Sequence, residues 1–345
     1  MSGTIALTAG AACVLSLTAI VPLRRLALRW DLTDRPGGHK AHSRPTPYLG
    51  GVAITVGTVV PTVIALGFTD LQIIAILLAA TAVSVLGLID DIASLSAVAR
   101  LTVEALAASG VVLSGVQVTI TGIWMDAPLT VMWIVVMTNS FNLLDNMDGA
   151  LGTVTTVTAG LLSATALVQG HTAFGVLLCA LAGAGLGFLP HNWAPARIFM
   201  GDSGSLFIGF TLACSAVVLV MGQAPNAAVA GLLLPTFVAT FDTCAVFLSR
   251  TLAGRSPLRG GTDHVSHRLR RIGLGTRTVA AALGAIAAIT GTLCLTMALG
   301  WISVLTAAVV AGAITVVLIS LLRGVSVYSP AHRPKTPQKI RERRR

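Results

Sequence analysis

An all-α polytopic membrane protein of about eleven transmembrane helices is the fold class this sequence predicts, and three observations predict it. The first is composition: 54% of the 345 residues are hydrophobic and 10% are charged, with a mean hydropathy of +0.86, whereas a soluble domain carries about 25% charged residues. The second is run length. The apolar stretches are continuous and approach the ~20 residues a helix needs to cross the hydrocarbon core, rather than alternating as barrel strands do. The third is charge placement. All 23 Lys and Arg residues fall in alternate breaks between the runs, the pattern of loops retained on the inner side.

The runs lie at about 3–23, 49–67, 71–89, 101–117, 128–144, 150–169, 173–190, 205–222, 227–248, 278–298 and 301–322. No basic residue precedes the first run, and Arg24 and Arg25 follow it. That order favours a retained span with its N-terminus outside over a cleaved signal peptide. The inner breaks are then 24–48, 90–100, 145–149, 191–204, 249–277 and a cytoplasmic tail from 323. Losing one span would put basic loops on both sides, so the charges also check the count. The ninth run contains Pro235, which is expected to bend or break it. Residues 1–322 read as a single integral-membrane domain, and 323–345 as a basic, disordered extension. The net charge of +10 is read as a topology signal with affinity for anionic headgroups, not as nucleic-acid binding. The five cysteines, Cys13, Cys179, Cys214, Cys244 and Cys294, sit in apolar runs without a CxxC pair, and are expected to be small buried hydrophobes.

Acids recur at the inner breaks. Asp90 and Asp91 end the third run, and two adjacent carboxylates at a membrane edge need a cation, solvent or hydrogen bonds to offset their repulsion. Asn139, Asn142, Asp145 and Asp148 are spaced by three. On a helix such residues share one face, and their oxygens suit Mg²⁺ or its water shell, or a base or ribose; the competing reading is a polar packing stripe. Phe199-Met200-Gly201-Asp202-Ser203-Gly204-Ser205 opens the eighth run from the inner side, where serines can cap a helix and its N-terminal amides can receive phosphate. Asp263, His264, His267 and Arg268 lie in the largest inner loop, and Lys40, His42 and Arg44 in the first; both groups suit a diphosphate or an ordinary exposed loop. Asp242 is an acid within the ninth run, a functional candidate by default.

Five ordered segments, DRPGGHKAHSRPTPYLGG, GLIDDIASLSAVARL, TNSFNLLDNMDGALG, NWAPARIFMGDSGSLFIG and DHVSHRL, run from Asp34 to about Leu269. Together they resemble the polyprenyl-phosphate N-acetylhexosamine-1-phosphate transferases (glycosyltransferase family 4), which start bacterial surface-polysaccharide lipids and include phospho-N-acetylmuramoyl-pentapeptide transferase. The resemblance implies that a polyprenyl phosphate, undecaprenyl or decaprenyl, attacks a UDP-N-acetylhexosamine with Mg²⁺ (or Mn²⁺) and releases UMP. It implies a multi-pass protein of the plasma membrane with its site on the cytoplasmic face, and it allows a homodimer. By matching position, Asp202 is the metal ligand, with Asn142 and Asp145 beside it. Asp90 or Asp91 binds or deprotonates the lipid phosphate. Asn139, Asn192 and Phe199 belong to the substrate site, with Phe199 stacking on uracil, and Asp148 to the nucleotide site. His264, His267 and Arg268 stand near the diphosphate, and Lys40, His42 and Arg100 bind substrate, Arg100 standing where lysine is common.

The departures are specific. HVSHRL places Ser266 where the family often has histidine, DNMDG places Asn146 where many relatives have glycine, and His39 stands where arginine is common. The muramoyl-pentapeptide enzymes carry a longer, more histidine-rich motif, so the resemblance is to the GlcNAc type, with the muramoyl-pentapeptide donor as the alternative. A reading from another class is a secondary transporter. Its acids would lie near the midplane, whereas these cluster at one face.

Overall fold

The computed structural model describes residues 2–34, 46–256 and 261–325. Among them are thirteen α-helices and one two-residue antiparallel pair, β1 (Thr33–Asp34) and β2 (Thr46–Pro47), with Thr33 opposite Pro47. The helices are α1 (Ser2–Arg29), α2 (Gly50–Leu66), α3 (Leu71–Ala93), α4 (Ala97–Leu113), α5 (Asp126–Leu144), α6 (Ala150–Val168) and α7 (Thr172–Asn192), then α8 (Gly201–Val220), α9 (Pro225–Leu233), α10 (Phe237–Leu252), α11 (Val265–Arg271), α12 (Thr276–Ala298) and α13 (Val304–Leu322).

Each predicted apolar run has become one helix, apart from the ninth. There α9 and α10 meet at 81°. Pro235 stands in the break, where it removes a backbone donor and crowds the preceding turn. Eight of the described helices are long and apolar enough to cross a membrane, and nine if the bent pair is one span. Helices α2 and α4 have 17 residues each, about 26 Å at 1.5 Å per residue, short of the ~30 Å core. The chain is an all-helical polytopic membrane protein.

Helix α8 forms the axis. From Ser203 to Val220 every residue is buried, as expected of a helix that is apolar all round. Helices α2, α3 and α5 pack against it. The periphery carries outward-facing apolar side chains, among them Leu7, Ile64, Leu113 and Leu252. Cys244 is one of these exposed groups, and Cys13 is half-buried. The expectation of five buried thiols therefore holds for three, because α10 turns one flank away from the bundle. All five thiols are free.

Candidate active site

The site is assembled where α8 begins. Gly50 and Gly51 amides donate to the Phe199 and Met200 carbonyls at 3.0 and 2.8 Å, and the Phe199 amide donates to Pro47 O at 2.7 Å. This ladder lays the loop before α8 along the start of α2. Gly201 then adopts φ 71°, and a side chain there would strike an Asp91 carboxyl oxygen at 2.5 Å. At Gly87 of α3, a Cβ would lie 2.5 Å from the Asp202 carbonyl carbon. Close approach of three backbones thus sets Asp202 against the C-terminal end of α3.

Asp91 holds that approach. Its carboxylate accepts from the Asp202 and Ser203 amides at 3.0 and 3.3 Å. The first turn of α8 is capped by a residue 111 positions upstream, and not by its own serines; the cap position is Met200, with no side-chain bond. A carboxylate there also complements the positive end of the helix dipole. Asp202 itself turns to the polar cluster. Arg100 Nη1 donates to Asp202 at 3.1 Å and to Asp90 at 2.6 Å, and Asn142 Nδ2 donates to Asp202 at 2.9 Å and to Ser205 Oγ at 2.9 Å. One guanidinium thus offsets two carboxylates.

The stripe of four spaced by three does not stay on one helix. Helix α5 ends at Leu144, Asp145 occupies its C-cap, and Gly149 turns the chain at φ 74°. Asp148 accepts from the Ala196 amide at 2.9 Å. Asn192 is buried, accepting from the Gly149 amide at 2.9 Å and donating to Ile198 O at 3.1 Å. It therefore ties the acidic turn to the loop before α8. Asn139 donates to Glu104 and to Val135 O. Glu104 is fully buried one turn beyond Arg100 on α4, and the sequence reading missed it; an acid four residues after an arginine inside an apolar run was the available signal. Phe199 is half-buried beside Gly50. Lys40 and His42 lie outside the described residues.

Burial, and then the carboxylates of Asp202, Asp91 and Asp148, push the Asp145 carboxyl up to about 7. The folded chain therefore keeps a proton that the unfolded chain has released above its ordinary range, so this group's contribution falls as pH rises from about 4 to about 7. With a chelator present, the thermal midpoint should fall between about pH 4 and about pH 7, and Asp145→Asn should flatten that fall. An identical pH slope in the variant would contradict the assignment.

A second cluster anchors α11 to α10. The Asp242 carboxylate meets His264 Nδ1 at 2.7 Å and accepts from the Val265 amide at 2.7 Å. Arg250 donates to both Asp263 oxygens at 2.7 Å, while Arg268 donates to the Asp263 carbonyl at 3.0 Å and to Ser249 Oγ. Asp242, His264 and Arg268 are buried in this anchor. His267 stands beside His264, ring centroids 6.1 Å apart. Burial, followed by the neighbouring His264, lowers its pKa, so it is neutral at neutral pH.

Residues 73–220 match the family model for glycosyl transferase family 4. A Streptomyces coelicolor protein that bears a glycosyltransferase name is 40% identical over 341 residues, covering 95% of this chain and 79% of that relative. This chain belongs to glycosyl transferase family 4. A second member, the decaprenyl-phosphate N-acetylglucosaminephosphotransferase of Mycobacterium tuberculosis, is 32% identical over 315 residues, 80% of this chain and 78% of its own length. A third, the undecaprenyl-phosphate alpha-N-acetylglucosaminyl 1-phosphate transferase of Thermotoga maritima, is 29% identical over 260 residues, 74% and 78%. The family match spans the cluster from Asp90 to Asp202, while His264, His267 and Arg268 lie beyond it.

Proposed function

We propose that this chain transfers N-acetylglucosamine 1-phosphate from UDP-N-acetylglucosamine to a polyprenyl phosphate, as the first membrane step of a cell-wall or surface polysaccharide. The observation that carries the reading is the convergence of Asp90, Asp91, Arg100, Asn142 and Asp202 where α3 and α8 meet, in a chain whose relatives are named for this chemistry. An oxygen of the lipid phosphate attacks the phosphorus that bears the sugar. The bond from that phosphorus to the bridging oxygen breaks, and UMP leaves with that oxygen. A phosphate monoester has a second pKa near ~6 and is largely ionised at neutral pH, so a strong general base is unnecessary. Catalysis then rests on positioning and charge neutralisation.

The donor set fits Mg²⁺. Among the described residues no three His, Cys, Asp or Glu side chains close into a cage, yet Mg²⁺ keeps several waters and takes one or two carboxylates. The carboxylates that raise Asp145 are the kind of set a divalent ion relieves. Asp202 would hold the ion, with Asn142 and Asp145 on it or on its waters; when bound it supplies charge neutralisation to the diphosphate. Arg100 orients the attacking phosphate, Phe199 stacks on the uracil, and the Asp148 turn shapes the nucleotide pocket. His267 faces the diphosphate, while Arg268, committed to the Asp263 carbonyl and Ser249, braces the loop that carries it, and the α9–α10 break forms the lipid's entry groove. The charge distribution of the loops supports eleven crossings in the plasma membrane, the N-terminus outside and the site on the cytoplasmic face.

The deciding experiment follows UMP release by the purified protein with undecaprenyl phosphate, Mg²⁺ and a panel of UDP-sugars. Lipid-dependent release with UDP-N-acetylglucosamine supports the reading; release only with another donor replaces the sugar, and none from folded protein rejects it. In the same assay Phe199→Ala should raise KM for the UDP-sugar by about tenfold with kcat little changed, the signature of lost uniform binding. An unchanged KM would count against stacking.

A further inference from the structure

Two residues that depart from the family pattern meet in the fold. Ser266 Oγ donates to Asn146 Oδ1 across 120 positions of sequence. Asn146 is already oriented for this, because its Nδ2 donates to the Leu143 carbonyl at 2.8 Å and so closes the last turn of α5. The amide's two ends therefore do different work: the nitrogen caps α5 and the oxygen reaches α11. Glycine at 146 could do neither. Ser266 is buried, at 1% exposure, so its hydroxyl has little access to water and needs an internal acceptor.

We propose that the Asn146–Ser266 hydrogen bond is a positioning contact that fixes α11, and with it His267, over the acidic turn of Asp145 and Asp148; the role rests on the transferase reading above. Helix α11 has seven residues, too few to hold a helix without tertiary support. The anchors through Asp242, Asp263 and Ser249 all lead to α10 or within the loop itself. The bond from Ser266 crosses instead to the α5–α6 turn, between the two halves of the site. It lies one residue from Asp145 on one side and one residue from His267 on the other. Serine and asparagine form a matched pair here: the smallest hydroxyl donor meets an acceptor held in place by its own amide.

The test is a double-mutant cycle on the full-length protein, with Ser266→Ala, Asn146→Ala and the pair, and Ser266→Thr as the conservative variant. UMP release with UDP-N-acetylglucosamine and undecaprenyl phosphate gives kcat and KM, and backbone deuterium exchange over 262–271 reports the docking of α11 directly. Each alanine variant should lower kcat by about tenfold with little change in KM for the lipid, and should speed exchange in 262–271. The double variant should be no slower than the slower single, since both remove one contact. Ser266→Thr should stay within about twofold of wild type. Wild-type kcat in Ser266→Ala, a double variant that multiplies the two single effects, or unchanged exchange would each overturn the proposal. So would an equal loss of thermal midpoint in every variant, threonine included, which would assign the pair to stability alone. Should the wild-type protein release no UMP, the transferase reading fails, and the exchange rates still decide whether the contact docks α11.

Discussion

Asp202→Asn is expected to stop turnover, lowering kcat by about a thousandfold or more, which corresponds to roughly 4 kcal/mol of transition-state stabilisation, while the fold stands. The geometry separates the two effects. What ties α8 to α3 is the Asp202 backbone amide, bonded to Asp91, and the substitution leaves it untouched. What faces the cluster is the side chain, which meets Arg100 and Asn142. Asparagine keeps the volume and an acceptor but removes the charge that a divalent ion and Arg100 share. Thermal unfolding with and without Mg²⁺ gives a reading independent of turnover: the wild-type midpoint should rise with the ion and the variant's should not. Full activity of the purified variant would remove Asp202 from the metal site.

The second large effect is expected at Gly51, an uncharged residue packed against the start of α8. An added Cβ there would fall on the Gly204 amide nitrogen and the Ser203 hydroxyl. Both walls of this contact are backbone or firmly packed, so Gly51→Ala must part α2 from α8. Overpacking of this kind costs about 1–3 kcal/mol. The strain arrives at the reactive loop directly, because the Gly51 amide donates to Met200 O, two residues before Asp202. A lowered thermal midpoint and a fall in kcat of at least about tenfold are expected together. Gly160→Ala is the control. That glycine has no atom within 4 Å of an added Cβ, and alanine in a helix interior is favoured over glycine by about 1 kcal/mol. Equal behaviour of the two variants would show that the α2–α8 contact does not govern the site.

The helices were legible because apolar runs of this length have few other uses, and the site because acids are rare in them. Asp90, Asp91, Asn142 and Asp202 could be assembled on one end from loop charges alone. Three features could not. Asp91 read as a substrate-binding carboxylate, yet it also caps α8 across 111 residues, a partnership no local spacing encodes. The stripe from Asn139 to Asp148 read as helical because a period of three fits a helix; α5 ends at Leu144, before the two acids, and the chain turns at Gly149, which aims Asp145 and Asp148 differently. Gly51, Gly87 and Glu104 gave little signal singly, since a glycine's contact or a buried acid's partner exists only once helices distant in sequence have packed. The resemblance assigns Asn192 to the substrate site; its amide is committed to Gly149 and Ile198, where it braces the loop.

Helix α8 touches no lipid along Ser203–Val220, and three of the helices that enclose it, α2, α3 and α5, precede it in the chain. During synthesis, then, Asp90, Asp91, Arg100 and Asn142 are in place before their common partner exists. Until Asp202 emerges, the seat for α8 is lined by Gly51 and Gly87, and the Asp91 carboxylate lacks the amides it caps. The candidate site and the seating of α8 are one event, so a nascent chain cut short before residue 201 would have neither.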